Sequence, residues 1–185
     1  MTRFAISFDS PVGRLAIAEE ADAIVAIGWG AHPDGEPTPL LCEARRQLAA
    51  YFGGGIRRFD LPLAPPGSPF ERRVWTAMQA IPYGETRRYG ELAMELGSAP
   101  RAIGRACGRN PIPIVIPCHR VLARGGIGGY SGGAGLATKQ ALLALEAAAQ
   151  PSRRFAGSRE TGVSPRHRAV KSNLVSNPIG REWRS

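Results

Sequence analysis

The sequence predicts an α+β fold: a small N-terminal antiparallel sheet, then a helical C-terminal part with a helix-turn-helix. Three observations predict it. Apolar and polar residues alternate from Phe4 to Trp29, the period of half-buried strands. From Pro39 onward apolar residues instead recur every three or four positions, the period of helices packed on one face. Within residues 84–111, two short helical stretches meet at a glycine-containing turn, the outline of a helix-turn-helix.

The elements follow in order. Phe4, Ile6 and Phe8 point one way; a Ser-Pro-Val-Gly turn leads to Leu15 and Ile17, and a polar turn at Glu19–Asp22 leads to Ile24–Trp29. This reads as a three-stranded meander. Residues 30–39 form a Pro/Gly-rich loop. In "PLLCEARRQLAAYF", Leu41, Ala44, Leu48 and Phe52 share one stripe, and Gly53–Gly55 stop the helix. A boundary falls at Pro65–Gly67. Ser68, Pro69 and Glu71 then supply an N-cap, a proline for the first helical position and a capping box. Phe70, Val74 and Met78 form the stripe of that helix, which Pro82 ends.

The next helix buries Tyr89, Leu92, Ala93 and Leu96 and stops at Gly97; its successor runs from about Ser98–Pro100 to Gly108. On that second helix Arg101, Arg105 and Arg109 recur every fourth residue, so they share a stripe. Its other residues include Ala102, Gly104, Ala106 and Gly108. Basic side chains on a helix of little bulk favour close approach to DNA over a merely solvated face. The prolines of "PIPIVIPCHRV" exclude a regular helix, and the branched residues imply a buried extended segment that fixes Cys118. "LARGGIGGYSGG" is a glycine-rich loop suited to approach a flat ligand. A last helix, "TKQALLALEAAA", has Thr138 as its cap and Leu142, Leu145 and Ala149 buried.

Composition narrows the class. The formal charge is +9 over 185 residues, spread unevenly. Residues 1–60 carry 6 Lys/Arg against 8 Asp/Glu, 61–150 carry 10 against 5, and 151–185 carry 8 against 2. The middle and tail, not the first third, have the sign of a nucleic-acid footprint. No signal peptide and no membrane span is expected. Three cysteines, Cys42, Cys107 and Cys118, make a disulfide framework unattractive and fit a reducing, cytoplasmic setting. The histidines are too far apart, with no CxxC pair, to suggest zinc. The expected division is an N-terminal α/β domain (1–66), a C-terminal domain carrying the site (67–150) and a basic, disordered tail (151–185).

The chemistry centres on Cys118. His119 beside it can take the thiol's proton, and Glu146, an acid on an apolar helix, can orient that histidine. A reactive thiol of this kind is expected to have a lowered pKa.

The motifs "IPYGETRRYGELA", "RAIGRACGRNPIPIVIPCHRV", "GGYSGG" and a helix ending in "LALE" closely resemble the O6-alkylguanine-DNA alkyltransferases, the methylated-DNA–protein-cysteine methyltransferases. The resemblance is strongest over about 68–148 and most specific at PCHRV. It implies a ribonuclease-H-like N-terminal domain and a single-turnover reaction: the thiolate takes the alkyl group from O6-alkylguanine in double-stranded DNA and is not regenerated. Carried over, Cys118 is the nucleophile, His119 the base acting through a water and Glu146 its orienting carboxylate. Tyr89 donates a proton to the departing guanine. Arg101 fills the space left by the flipped nucleotide, Ala102 and Ala106 suit a minor groove, and Asn110 ties the recognition helix to the cysteine loop. The carbonyls of Cys118 and Val121, the backbone of Ser131 and the ring of Tyr130 hold the base. No cofactor is implied, because the damaged base is the methyl donor; a monomer is expected, with O4-methylthymine as a further substrate. The chain departs from the family pattern in a shorter join at "LGSAPRAIG", a longer "GGAGLATKQ", Ala141 in place of a large residue, and Cys107 where a larger side chain often packs. Two rival readings are a non-catalytic module that binds alkylated DNA and a helix-turn-helix transcription regulator.

Overall fold

In the computed structural model, residues 3–31 and 35–148 are described; the tail from Ala149 onward, and with it the expected burial of Ala149, lies outside them. Strands β1 (Arg3–Ser10), β2 (Gly13–Glu20) and β3 (Ala23–Trp29) form an antiparallel sheet in the order β1-β2-β3. In register, Ile6 faces Ile17 and Ile17 faces Ile27, so one face is a band of branched residues, the pairing that stabilises sheets. Phe4, expected on that face, is 39% exposed; it sits near the open end of β1. The β2–β3 turn places Ala21 and Asp22 at φ 49 and 58, the left-handed pair that matches strand twist in a tight hairpin.

Helix α1 (Pro39–Phe52) lies against this sheet. Thr38 caps it by accepting the Leu41 N–H at 3.1 Å and donates to Glu19 of β2, tying the helix start to the sheet. Leu41, Ala44, Leu48 and Tyr51 are fully buried, whereas Phe52 only packs at the margin. The free edge of β3 is covered. Ile24 exchanges hydrogen bonds with Pro62 and Ala64, and the Ile27 N–H donates to the Pro111 carbonyl at 2.8 Å. Covering the edge protects it from pairing with another chain and fastens the sheet to the segment that leads to Cys118.

Helix α2 (Pro69–Gln79) opens with the expected capping box between Ser68 and Glu71 and stops at Gln79, three residues short of Pro82. Two-residue β4 (Arg87–Arg88) pairs in parallel with β5 (Val121–Leu122). Helices α3 (Tyr89–Glu95) and α4 (Pro100–Gly108) pack on each other across a turn whose Gly97 has φ +60. Trp75 of α2 donates its indole N–H to the Ala106 carbonyl at 2.9 Å. Helix α5 (Leu136–Ala148) closes the described chain. Thr138 lies inside it rather than at its cap, and its hydroxyl accepts the Ala134 N–H at 3.0 Å. One core joins Ile6, Leu15 and Ile17 of the sheet to Val74, Ile103, Ile116 and Leu142.

Candidate active site

Asn110 begins the site. It follows α4; its amide donates to the Ile116 carbonyl at 2.8 Å and its Oδ1 accepts the Ile112 N–H at 3.0 Å. These two bonds clamp residues 110–116 into a compact arch instead of the expected extended segment. Within it the Ile116 N–H returns to the Ile112 carbonyl, and Ile114 adopts φ 76, a left-handed geometry unusual for a branched residue. Ile112, Ile114 and Ile116 are completely buried. Their burial holds that conformation, which a free chain would avoid.

The arch delivers Cys118 as the first residue of a single 3-10 turn, Cys118–Arg120. Cys118 is 8% exposed and lines a cavity of about 590 Å³. Tyr89, Gly104, Cys107, Asn110, Tyr130 and Ser131 share that cavity. Burial pushes the Cys118 thiol up, against the pull of the Asn110 amide and the Lys139 charge. The expected low-pKa thiolate is therefore not the resting state; the group is a thiol that needs a base.

His119 supplies the base geometry. It is fully buried, and its Nε2 lies 2.8 Å from Glu146 Oε1. Burial pulls its pKa below the ordinary value, so the ring is neutral. A carboxylate at Nε2 fixes the proton there and leaves Nδ1 as an acceptor. Nδ1 has no hydrogen-bond partner among the described residues.

Glu146 is held from every side. Its Oε1 also accepts the Tyr51 hydroxyl at 2.7 Å and Arg120 Nη2 at 2.8 Å. Its Oε2 accepts Arg120 Nε at 2.9 Å and the Gly84 N–H at 3.0 Å. Gly84 turns that N–H inward with φ 75, a conformation glycine adopts without strain. Burial pushes the Glu146 carboxyl up, but His119 and Arg120 outweigh it and hold it at about 2. Glu146 is thus a permanent carboxylate that orients His119 and does not take its proton. The Arg120–Glu146 pair is nearly neutral as a unit, which is how such charges tolerate burial.

Tyr51, Lys139 and Trp29 have no role that the sequence singles out, and Arg120 stands there only as a charged neighbour of Cys118. Lys139 is fully buried; its Nζ donates to the Val121 carbonyl at 2.7 Å and the Gly129 carbonyl at 3.2 Å. The Val121 carbonyl, expected to face a base, accepts that ammonium with one of its two lone pairs. A lysine inside a run of helical periodicity gives no sign of burial; only the fold shows that its ammonium meets one carbonyl of β5 and one of the glycine-rich loop. Tyr89 is half-buried at the cavity wall, and burial pushes its phenol up to about 12; it remains a proton donor. The Tyr130 hydroxyl is buried beside the Cys118 thiol, and its pKa too is raised, by burial first.

Helix α4 presents Arg101 and Arg105 to solvent, with Ala102 half-exposed. Two expectations change. Ala106 is 2% exposed and faces the core, so its side chain cannot meet a groove. Arg109 turns back to Glu71 at 3.1 Å, towards the start of α2. Gly104, Cys107 and Gly108 of the same helix line the cavity with Cys118, so the helix that carries the arginines also forms part of the cavity wall. Ser131 is exposed at its rim.

Residues 69–148 match the family model described as 6-O-methylguanine DNA methyltransferase, DNA binding domain, and residues 4–65 match its ribonuclease-like domain. The chain belongs to the 6-O-methylguanine DNA methyltransferase family. Among the family's curated members, a methylated-DNA–protein-cysteine methyltransferase of Mycolicibacterium paratuberculosis is 45% identical over 78% of this chain and 92% of its own. One from Methanosarcina acetivorans is 43% identical over 75% and 95%. Among solved structures, the O6-methylguanine methyltransferase of Mycobacterium tuberculosis matches with TM-score 0.72 and 40% identity, over 82% of this chain and 96% of its own. A structure of the Mycobacterium tuberculosis protein in complex with DNA matches with TM-score 0.71 and 41% identity, over 80% and 96%. No helix of the described residues is long and apolar enough to cross a membrane.

Proposed function

We propose that this protein repairs double-stranded DNA by moving the alkyl group of O6-alkylguanine onto Cys118, once per molecule. The observation that carries this reading is the buried His119–Glu146 contact at 2.8 Å on the residue that follows a cavity-lining thiol. A base cannot present its O6 substituent to a buried thiol from within the stack, so the nucleotide enters extrahelically. The cavity of about 590 Å³ is of the size range of small-ligand pockets.

The sulfur attacks the alkyl carbon while its bond to O6 breaks. The thiol proton passes to Nδ1 of His119 through a water, Tyr89 supplies the proton that neutralises the departing guanine, and His119 then releases its proton to solvent while Tyr89 regains one from it. The net exchange is one S–H for one S–C bond, with guanine regaining the proton. Glu146 keeps a proton on Nε2, so that Nδ1 is the acceptor when transfer begins. Arg101 enters the stack where the base has left, Ala102 allows close approach to the groove, and Asn110 ties α4 to the thiol. Tyr130 and the Ser131 backbone flank the base, and the Cys118 carbonyl faces its amino group. We read the protein as a cytoplasmic monomer that also accepts O4-methylthymine; the free thiols Cys42, Cys107 and Cys118 suit a reducing compartment. The two expected domains, 1–66 and 67–150, are on this reading a support for the loop and the reacting unit.

The test is a duplex with a single O6-methylguanine, digested and chromatographed after incubation. Guanine should be restored to one equivalent of protein, not at all by Cys118→Ala, and fully by Cys107→Ala. Continued demethylation by Cys118→Ala would overturn the assignment.

A further inference from the structure

We propose that Trp29, on the N-terminal sheet, is a positioning residue for alkyl transfer that sets the glycine-rich loop, and with it Tyr130, against Cys118. This rests on the reading that the cavity receives the alkylated base.

Trp29 is the last residue of β3 and pairs in register with Leu15. Its Nε1–H donates to the Val12 carbonyl at 2.9 Å. The indole is thus held by the sheet at its backbone and by the β1–β2 turn at its edge, leaving little rotational freedom. The ring also meets Tyr130, Gly132 and Gly133. Trp29 and Tyr130 contact edge to face, with centroids 6.2 Å apart at 84°, a favourable aromatic geometry.

The two following glycines show how closely the loop sits. A Cβ on Gly132 would lie 2.4 Å from Trp29 Cζ3, and one on Gly133 would lie 2.7 Å from its Nε1. Gly133 has φ +53, so its backbone also favours glycine, but Gly132 has no positive φ. Glycine at 132 is therefore a steric requirement, set chiefly by the indole. At the other end of the loop, Lys139 holds the Gly129 carbonyl at 3.2 Å. Tyr130 and Ser131 span these two anchors, and both line the cavity with Trp29 and Cys118. A tryptophan serving the core alone would be enclosed; Trp29 is half-buried and forms part of the cavity wall.

The test uses the full chain in single-turnover transfer from an O6-methylguanine duplex. Active fraction, limiting rate constant and affinity for undamaged duplex are measured separately. Trp29→Ala should lower the limiting rate about tenfold in the active fraction, because misplacement near the reacting atoms is costly. Affinity for undamaged duplex, a property of α4, should stay within about twofold, and Trp29→Phe should keep most of the rate because the ring remains. Gly132→Ala should also slow transfer about tenfold, and the double variant Trp29→Ala/Gly132→Ala should lose less than the product of the two, as neighbours in contact do. A merely structural role would reduce the active fraction and leave its rate constant unchanged, and that result would overturn the proposal. If Trp29→Ala does not fold, a wild-type rate for Gly132→Ala overturns it equally. No transfer by the unaltered protein would instead remove the functional reading on which it rests.

Discussion

Glu146 Oε1 lies 2.8 Å from His119 Nε2, and neither residue is exposed to solvent. The same carboxylate accepts donors from Arg120, Tyr51 and the Gly84 backbone. One acidic side chain therefore both orients the base and joins α1, α5, the turn before β4 and the cysteine turn.

Glu146→Gln should damage reaction and stability together. It leaves the Arg120 guanidinium buried without its countercharge, a change that costs roughly 3–5 kcal/mol in comparable pairs. The amide can also donate to Nε2 and so reverse the tautomer, lowering transfer by about 10²-fold or more. Denaturant unfolding and single-turnover kinetics check the two effects; a variant with wild-type transfer would show that His119 needs no orienting carboxylate.

Acidification should act in two stages. The His119 pKa is depressed on folding from 6.5 by burial, so the unfolded chain binds more protons and stability falls as pH drops below that value. Glu146 is held at about 2 against an ordinary 4.5, so its contribution is present above 4.5 and lost between there and 2. The transfer rate should be flat near neutrality, with its acidic limb below pH 6.5. An acidic limb well above 7 would contradict a neutral, depressed His119.

Arg101→Ala should weaken repair of duplex DNA far more than reaction with a free alkylguanine base. The side chain is exposed on α4, and Arg101 does not line the cavity that holds Cys118. Rate constants for the two substrates decide it; equal losses would refute its role in the stack.

Arg105 and Arg109 share a helical stripe but should behave differently. Both are exposed, but Arg109 pairs with Glu71. Arg105→Ala should reduce the slope of log affinity against log salt by about 0.9, one phosphate contact. Arg109→Ala should leave that slope nearly unchanged and weaken the α2–α4 contact instead. Equal changes in slope would mean that Arg109 leaves Glu71 when DNA binds.

Local signals explain what the sequence revealed. Strand alternation, the Ser68–Glu71 capping box and the Gly97 stop are short-range patterns, and all three stand in the structure. The Cys118–His119 dipeptide with an acid on an apolar helix pointed to the relay, although 27 residues separate His119 from Glu146. What escaped was set by tertiary contact. Tyr51 reaches Glu146 across 95 residues, and a tyrosine on an amphipathic helix looks like any core aromatic. Lys139 is fully buried, which nothing in its sequence neighbourhood indicates. The arch at 110–116 depends on the Asn110 side chain and a left-handed Ile114, which no periodicity announces. Ala106 was misplaced because small size says nothing of which face a residue takes.

Intact-mass measurement and peptide mapping, after mixing the protein with a duplex holding one O6-methylguanine, test the central claim most directly. The expected result is one added methyl on the Cys118 peptide and none on Cys42 or Cys107, with the reaction stopping at one equivalent. Unmodified protein that still binds the lesion would contradict it, and would leave a buried thiol and its relay serving recognition alone.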